Sequence, residues 1–175
     1  MVDIKFGPSK EKLVLVAGCS NGAILIFRPK EIFSVENWVA EFEFVASTNG
    51  ITSISWSQCS YEPLMLAIGC CSKPSSDLFV IEDTHEGLVQ IWWINEKAGV
   101  CERAIKDIKE NHKETVNDVA WAPFMARSFH ILLSCSIDCS IIFWKINPEI
   151  NKEGDMVDIH IDIMNKINLE LIVYT

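Results

Sequence analysis

The 175-residue chain has no concentration of positive charge. Lys and Arg total 15 against 24 Asp and Glu, for a net charge of −9. A surface that tracks nucleic-acid phosphates needs clustered Lys and Arg, and so does one drawn to an anionic bilayer. Both are excluded as main activities. Long apolar runs are missing too. No stretch reaches the roughly 20 apolar residues of a membrane-spanning helix. Asp3, Lys5 and Pro8 interrupt any apolar run near Met1, so neither a secretory signal nor direct membrane insertion is expected. The seven cysteines make an odd count, which without secretory signals reads as reduced thiols in cytosol or nucleus. Cys70–Cys71 and Cys135–Cys139 lack partner pairs at zinc-site spacing, so no metal and no cofactor is expected. There is no Gly-rich phosphate loop and no nucleophile elbow. His85, His112, His130 and His160 are scattered and read as loop or core residues. No enzyme activity and no small-molecule substrate is expected.

What the chain does have is apolar content, 49% of residues, enough to argue against disorder at a length suited to one domain. It also has an internal repeat. Copy one is VDIKFGPSKEKLVLVAGCSNGAILIF, residues 2–27. Copy two is TSISWSQCSYEPLMLAIGCC, residues 52–71, resuming as GLVQIWWI at 87–94. Copy three is HKETVNDVAWAPFMARSFHILLSCSIDCSIIFWK, residues 112–145. Phe6, Trp56 and Trp121 align at the end of the first strand of each copy; Phe27, Trp92 and Trp144 align near the end of the third. VDIKF, TSISW and NDVAW alternate with period two, the mark of strands with unlike faces. The second strands are more continuously apolar, as for strands buried on both sides. Asn21-Gly22 is a hairpin turn signal, placed in copy one where Asp138 stands in copy three.

Between the copies, Glu41 to Ala46 alternates charge and hydrophobe and suits an outer, edge-facing strand. Residues 101–109 read as strand or short helix. Residues 72–86 form a Pro-, Ser- and acid-rich insertion, expected as an exposed loop. After copy three, a polar loop is expected from Asn147-Pro148 through Asp155. A strictly alternating strand, VDIHIDIM, follows, and the ending LELIVYT fits no repeat. Adjacent Trp92 and Trp93 must face opposite sides of their strand.

Copy three resembles one blade of a WD-repeat β-propeller. In that family a His before the first strand, a Ser in the second, a turn Asp and a third-strand Trp form a buried hydrogen-bonded tetrad. The matching positions are His112, Ser134, Asp138 and Trp144. Lys145 stands where the family's final Asp would be. In copy one, Ala17 and Phe27 replace the Ser and Trp, so the set is lost there. The fold expected is all-β, an incomplete propeller sector of about three blades at residues 2–46, 51–109 and 112–146, with a tail strand at 156–164.

Within WD-repeat proteins the chain resembles the Seh-type nucleoporins, in the Sec-thirteen/Seh family, over residues 2–165. The stretches that carry this are VDIKFGP with LVLVAGCSNGAILIF, PKEIFSVENW, ITSISW with PLMLAIGCCS, VQIWWIN, WAPFMARSFHIL and KEGDMVDIHI. The last is similar to the strand leading toward the next blade. WAPFMARSFHIL, residues 121–132, is the most specific of these. The resemblance implies a propeller left open for a blade inserted by a partner nucleoporin. It also implies a scaffold role in the Y-shaped outer ring of the nuclear pore, in transport of mRNA and protein. A second location at the lysosomal or vacuolar surface, in nutrient signalling, is implied as well. It carries over no partner-contact residue. Two other readings are a Sec-thirteen-like vesicle-coat subunit and a propeller that reads peptides on its top face.

Overall fold

Alternation of apolar and polar residues, broken by short turns, produces strands throughout. The computed structural model describes residues 1–8, 13–31, 34–59, 62–72, 88–104, 111–125, 128–153 and 155–169, and among these there is no helix. The first sheet is β1 (Asp3–Phe6), β2 (Leu15–Gly18), β3 (Ala23–Glu31) and β4 (Ser34–Val45). The second is β5 (Ile51–Trp56), β6 (Met65–Cys70), β7 (Val89–Asn95) and β8 (Val100–Arg103). The third is β9 (Val116–Trp121), β10 (His130–Ser136), β11 (Ser140–Ile150) and β12 (Met156–Asn168). Each sheet is a four-stranded antiparallel meander in chain order. β1 lies against β5 and β5 against β9, so the first strands line one side of the assembly. This is an incomplete sector of a WD-repeat β-propeller.

The sheets stack face on face around two apolar layers. The first layer joins Val16, Ile24 and Ile26 to Ile54, Trp56 and Leu66. The second joins Met65, Ala67, Ile91 and Trp93 to Trp121, Leu132 and Trp144. The middle sheet serves both layers, and β6 is accordingly buried at every position. β10 instead alternates buried and half-buried residues, because only one of its faces is covered. Fully burying a Leu- or Ile-sized side chain stabilises by about 1.5–3 kcal/mol, so these layers dominate the joints between sheets.

Several boundaries differ from those read in the sequence. The outer strand of the first sheet is β4, starting at Ser34 rather than Glu41. The strand or helix expected at 101–109 is strand β8 as far as Arg103, and 105–109 lie outside the described residues. The expected loop at Asn147-Pro148 is instead the continuation of β11. The reason is local: β10 stops pairing at Ile146, so beyond it β11 has a ladder on one side only. A proline, which lacks an N–H, is tolerated on such an open side. Pro29 in β3 has the same setting, past the last β2 pair at Phe27 and opposite Trp38 of β4. The expected tail strand pairs with β11 along its length and is the fourth strand of the third sheet. Of the 72–86 insertion only Ser72 is described. His85, Arg127 and residues 170–175 also lie outside the described part.

Candidate functional site

The third sheet carries a buried polar network at its second hairpin. His112 lies just ahead of β9, Ser134 on β10, Asp138 in the turn that follows, and Trp144 on β11. These four side chains lie together. Trp144 Nε1 donates to Ser134 Oγ at 2.8 Å. Ser134 Oγ is 2.7 Å from His112 Nε2. His112 Nδ1 is 3.3 Å from each Asp138 oxygen. One proton assignment satisfies every member: the indole donates to the serine, the serine hydroxyl to Nε2, and the Nδ1–H to the carboxylate.

The Asp138 carboxylate is the end of that line and is heavily donated to. It accepts from Lys113 N at 2.9 Å, Ser140 N at 2.9 Å and Ser140 Oγ at 2.6 Å. Burial works to raise its pKa, but these hydrogen bonds and the adjacent imidazole outweigh it and hold the carboxyl well below the usual range. For His112 burial is the larger influence. It lowers the pKa from 6.5 against the upward pull of Asp138, so the ring is neutral. Ser140, also 3.0 Å from His112 Nδ1, is a fifth member that the sequence reading missed. Its signal is the Asp-x-Ser spacing, which lets the turn Asp hold the N–H two residues on. Asn21 does the same for Ala23 N at 3.2 Å in the first sheet.

The turn explains one backbone feature. Gly22 has φ +88°, and a Cβ there would lie 1.6 Å from the Ser47 carbonyl oxygen. Cys139 stands at the matching place in the third sheet and adopts φ 60° as the only non-glycine residue with positive φ among those described.

The second sheet solves its tryptophan differently. Trp92 Nε1 donates to Gln90 Oε1 at 2.9 Å, two residues back on the same strand. Gln90 Nε2 donates to Ala46 O at 2.9 Å, beyond the end of β4. Gln90 is 1% exposed, so this relay locks the first sheet to the second inside the joint. Trp92 stacks on Phe44 with centroids 4.2 Å apart, and Trp93 enters the other layer. Both members of the Trp pair therefore pack between sheets, on opposite faces.

Polar ties also cross the joints at the inner strands and at the rims. Ile54 N donates to Asp3 Oδ2 at 2.9 Å, and Trp121 N to Ser55 Oγ at 2.9 Å. Arg28 pairs with Glu96 at 2.5 Å, Lys97 with Asp155 at 2.7 Å, and His130 with Glu62 at 2.6 Å. A cleft of about 240 Å³ opens between the second and third sheets over Leu64, Trp93 and Met156, with Glu62, Glu96, Glu153 and Asp155 around it. His160 faces Glu149 at 3.8 Å on the exposed side of β11 and β12, beside Asp158. All seven cysteines are free thiols. Burial, with Glu41 nearby, pushes the Cys101 thiol up to about 12, which removes its nucleophilic character.

No family model matches the chain. Among curated proteins, nucleoporin SEH1-A of Xenopus laevis is 27% identical over 165 residues, 92% of this chain and 42% of that protein. Nucleoporin SEH1 of Homo sapiens is 27% identical over 168 residues, 94% of this chain and 43% of that protein. The protein SEC13 homolog of Drosophila melanogaster is 26% identical over 149 residues, 85% of this chain and 40% of that protein. The chain spans about two fifths of the length of these relatives. In sequence over about nine tenths of its length, and with a fold of three stacked propeller blades, the chain resembles the Seh-type nucleoporins.

Proposed function

We propose that this chain is a structural scaffold of the outer ring of the nuclear pore, binding partner nucleoporins and doing no chemistry itself. The observation that carries the reading is the similarity to proteins named nucleoporin SEH1 over 92% to 94% of the chain. The residues with chemical potential are tied into the fold, which supports a platform role. The neutral His112 is held on both ring nitrogens, and the Cys101 thiol is held protonated. The long outer strands β4 and β12 present edges onto which a partner's strand can add. We assign the network of His112, Ser134, Asp138 and Trp144 a structural role, fixing the turn and the third strand of its blade.

Co-expression with the outer-ring nucleoporins of the same organism tests the proposal. A stoichiometric complex with one of them, stable through gel filtration, is the expected result. A vesicle-coat reading has its own support in the similarity to the SEC13 homolog of Drosophila melanogaster. It predicts a stable complex with a coat subunit and none with the nucleoporins, and that outcome would overturn the pore assignment.

A further inference from the structure

The cleft between the second and third sheets lies inside a joint of the chain, at the end of the sheets opposite the turn that holds Asp138. Its walls come from the segment between β5 and β6, the end of β7 with the turn after it, and the β11–β12 turn. No outward sheet face contributes to it. Leu64, Trp93 and Met156 make an apolar floor. Around that floor stand four carboxylates, Glu62, Glu96, Glu153 and Asp155, and one cation, Lys97. The volume, about 240 Å³, is below the roughly 300–1,000 Å³ of pockets that enclose a drug-sized ligand. It suits one or two side chains of a peptide.

The first joint shows which side chain fills the counterpart place. Phe27 pairs with Leu15 in the first sheet as Trp92 pairs with Leu66 in the second, so Arg28 corresponds to Trp93. Arg28 crosses its joint, with Nε 3.0 Å from Glu41 of its own sheet and Nη2 2.5 Å from Glu96 of the next. Its side chain is only 17% exposed, so the stem is packed while the guanidinium sits between two carboxylates. Trp93 supplies no such cation to the second joint. The indole forms the floor there, and the carboxylates of the next turn remain around it.

Those carboxylates outnumber their local partners. Glu62 pairs with His130 at 2.6 Å, Asp155 with Lys97 at 2.7 Å, and Glu96 with Arg28. Glu153 is exposed and makes no ion pair among the described residues. An occupant of this cleft meets negative charge at the rim and apolar surface below it. Arginine matches both. Its methylene stem covers apolar surface, and its planar fork takes two carboxylate groups, where lysine offers a point charge.

We propose that this cleft docks a partner peptide that inserts an arginine between the second and third sheets. The stem lies over Leu64, Trp93 and Met156, and Glu153 and Asp155 hold the guanidinium. The inserted residue does in the second joint what Arg28 does in the first. The proposal does not rest on the pore reading.

The probe is a capped Leu-Arg-Leu tripeptide, titrated into the isotope-labelled chain and followed by NMR. Saturable amide shifts centred on Leu64, Ile94, Lys97 and Met156 are expected. Replacing the peptide's arginine by glutamine abolishes binding, and replacing it by lysine weakens binding several-fold. Glu153→Lys weakens binding of the arginine peptide by about tenfold or more, because like charges then meet. Glu153 is exposed on a turn, so far-UV circular dichroism is unchanged in that variant. Glu43→Lys, an equal change of charge on β4 of the first sheet, leaves the affinity unchanged at moderate salt. An arginine peptide that shifts none of the four amides would overturn the proposal. So would a glutamine or lysine peptide that binds as tightly, or a Glu153→Lys chain that binds the arginine peptide as the wild type does.

Discussion

Trp144 and Ser134 meet at 2.8 Å through the indole N–H and the serine oxygen, with both residues buried in the third sheet. The serine oxygen serves two partners, since His112 Nε2 lies 2.7 Å on its other side. A single hydroxyl therefore couples the third strand of the blade to the residue that enters the first.

Trp144→Ala removes a fully buried indole from the second layer and leaves a cavity. The expected loss is about 3–5 kcal/mol in a urea titration. Trp144→Phe keeps most of the volume and loses the N–H, so its cost is expected to be smaller, about 1–2 kcal/mol.

Ser134→Ala leaves the Trp144 N–H and His112 Nε2 buried without their shared partner. A loss of about 1–3 kcal/mol is expected from the same titration. Combined with Trp144→Phe, the losses are expected to be less than additive, because the two side chains share one hydrogen bond.

Acid weakens the fold in two stages. Burial, against the pull of Asp138, holds the His112 pKa in the folded chain below its ordinary 6.5. The unfolded chain takes up that proton first, so stability falls as pH drops below 6.5 and on toward the folded value. The Asp138 carboxyl is held below 3.8, so its contribution is present above 3.8 and is lost as pH falls further. Urea midpoints measured against pH are expected to show both declines. His112→Asn is expected to flatten the first, and an unchanged slope there would contradict the assignment.

Gln90→Leu removes the acceptor of the Trp92 indole and the donor to Ala46 O while keeping the side chain's bulk. It is expected to cost about 1–3 kcal/mol, with Trp92 fluorescence shifting as the indole loses its partner.

Cys139→Gly relieves a left-handed backbone conformation at the turn where the first sheet already uses Gly22. A gain of up to about 1 kcal/mol is expected, the relief being partly offset by glycine's greater freedom when unfolded.

The repeat was legible because the bulky residues that close each joint recur in register: Phe6, Trp56 and Trp121, then Phe27, Trp92 and Trp144. The positions of the network came from the resemblance to a WD-repeat blade, and the six residues from Asp138 to Trp144 suit the turn and short strand that the resemblance implies. Gln90 was not legible as a structural residue. A lone amide on an apolar strand reads as solvent-facing until the neighbouring sheet supplies the Ala46 carbonyl. The end of β11 was misread because Pro148 signals a break by itself, and only the stopping point of β10 shows that its missing N–H faces an open side. The β12 strand was legible from its alternation, but its partner was not, since pairing is a long-range choice.

Face-on-face stacking of the three sheets underlies the whole account, and two backbone amides report it directly. Ile54 N donates to Asp3 and Trp121 N to Ser55, each acceptor lying on the neighbouring sheet. Hydrogen exchange followed by NMR at these two amides is the sharpest test. The account predicts protection comparable to that of amides in the β6 ladder. Exchange at close to the unprotected peptide rate at both sites, with β6 still protected, would mean that the sheets form but do not stack.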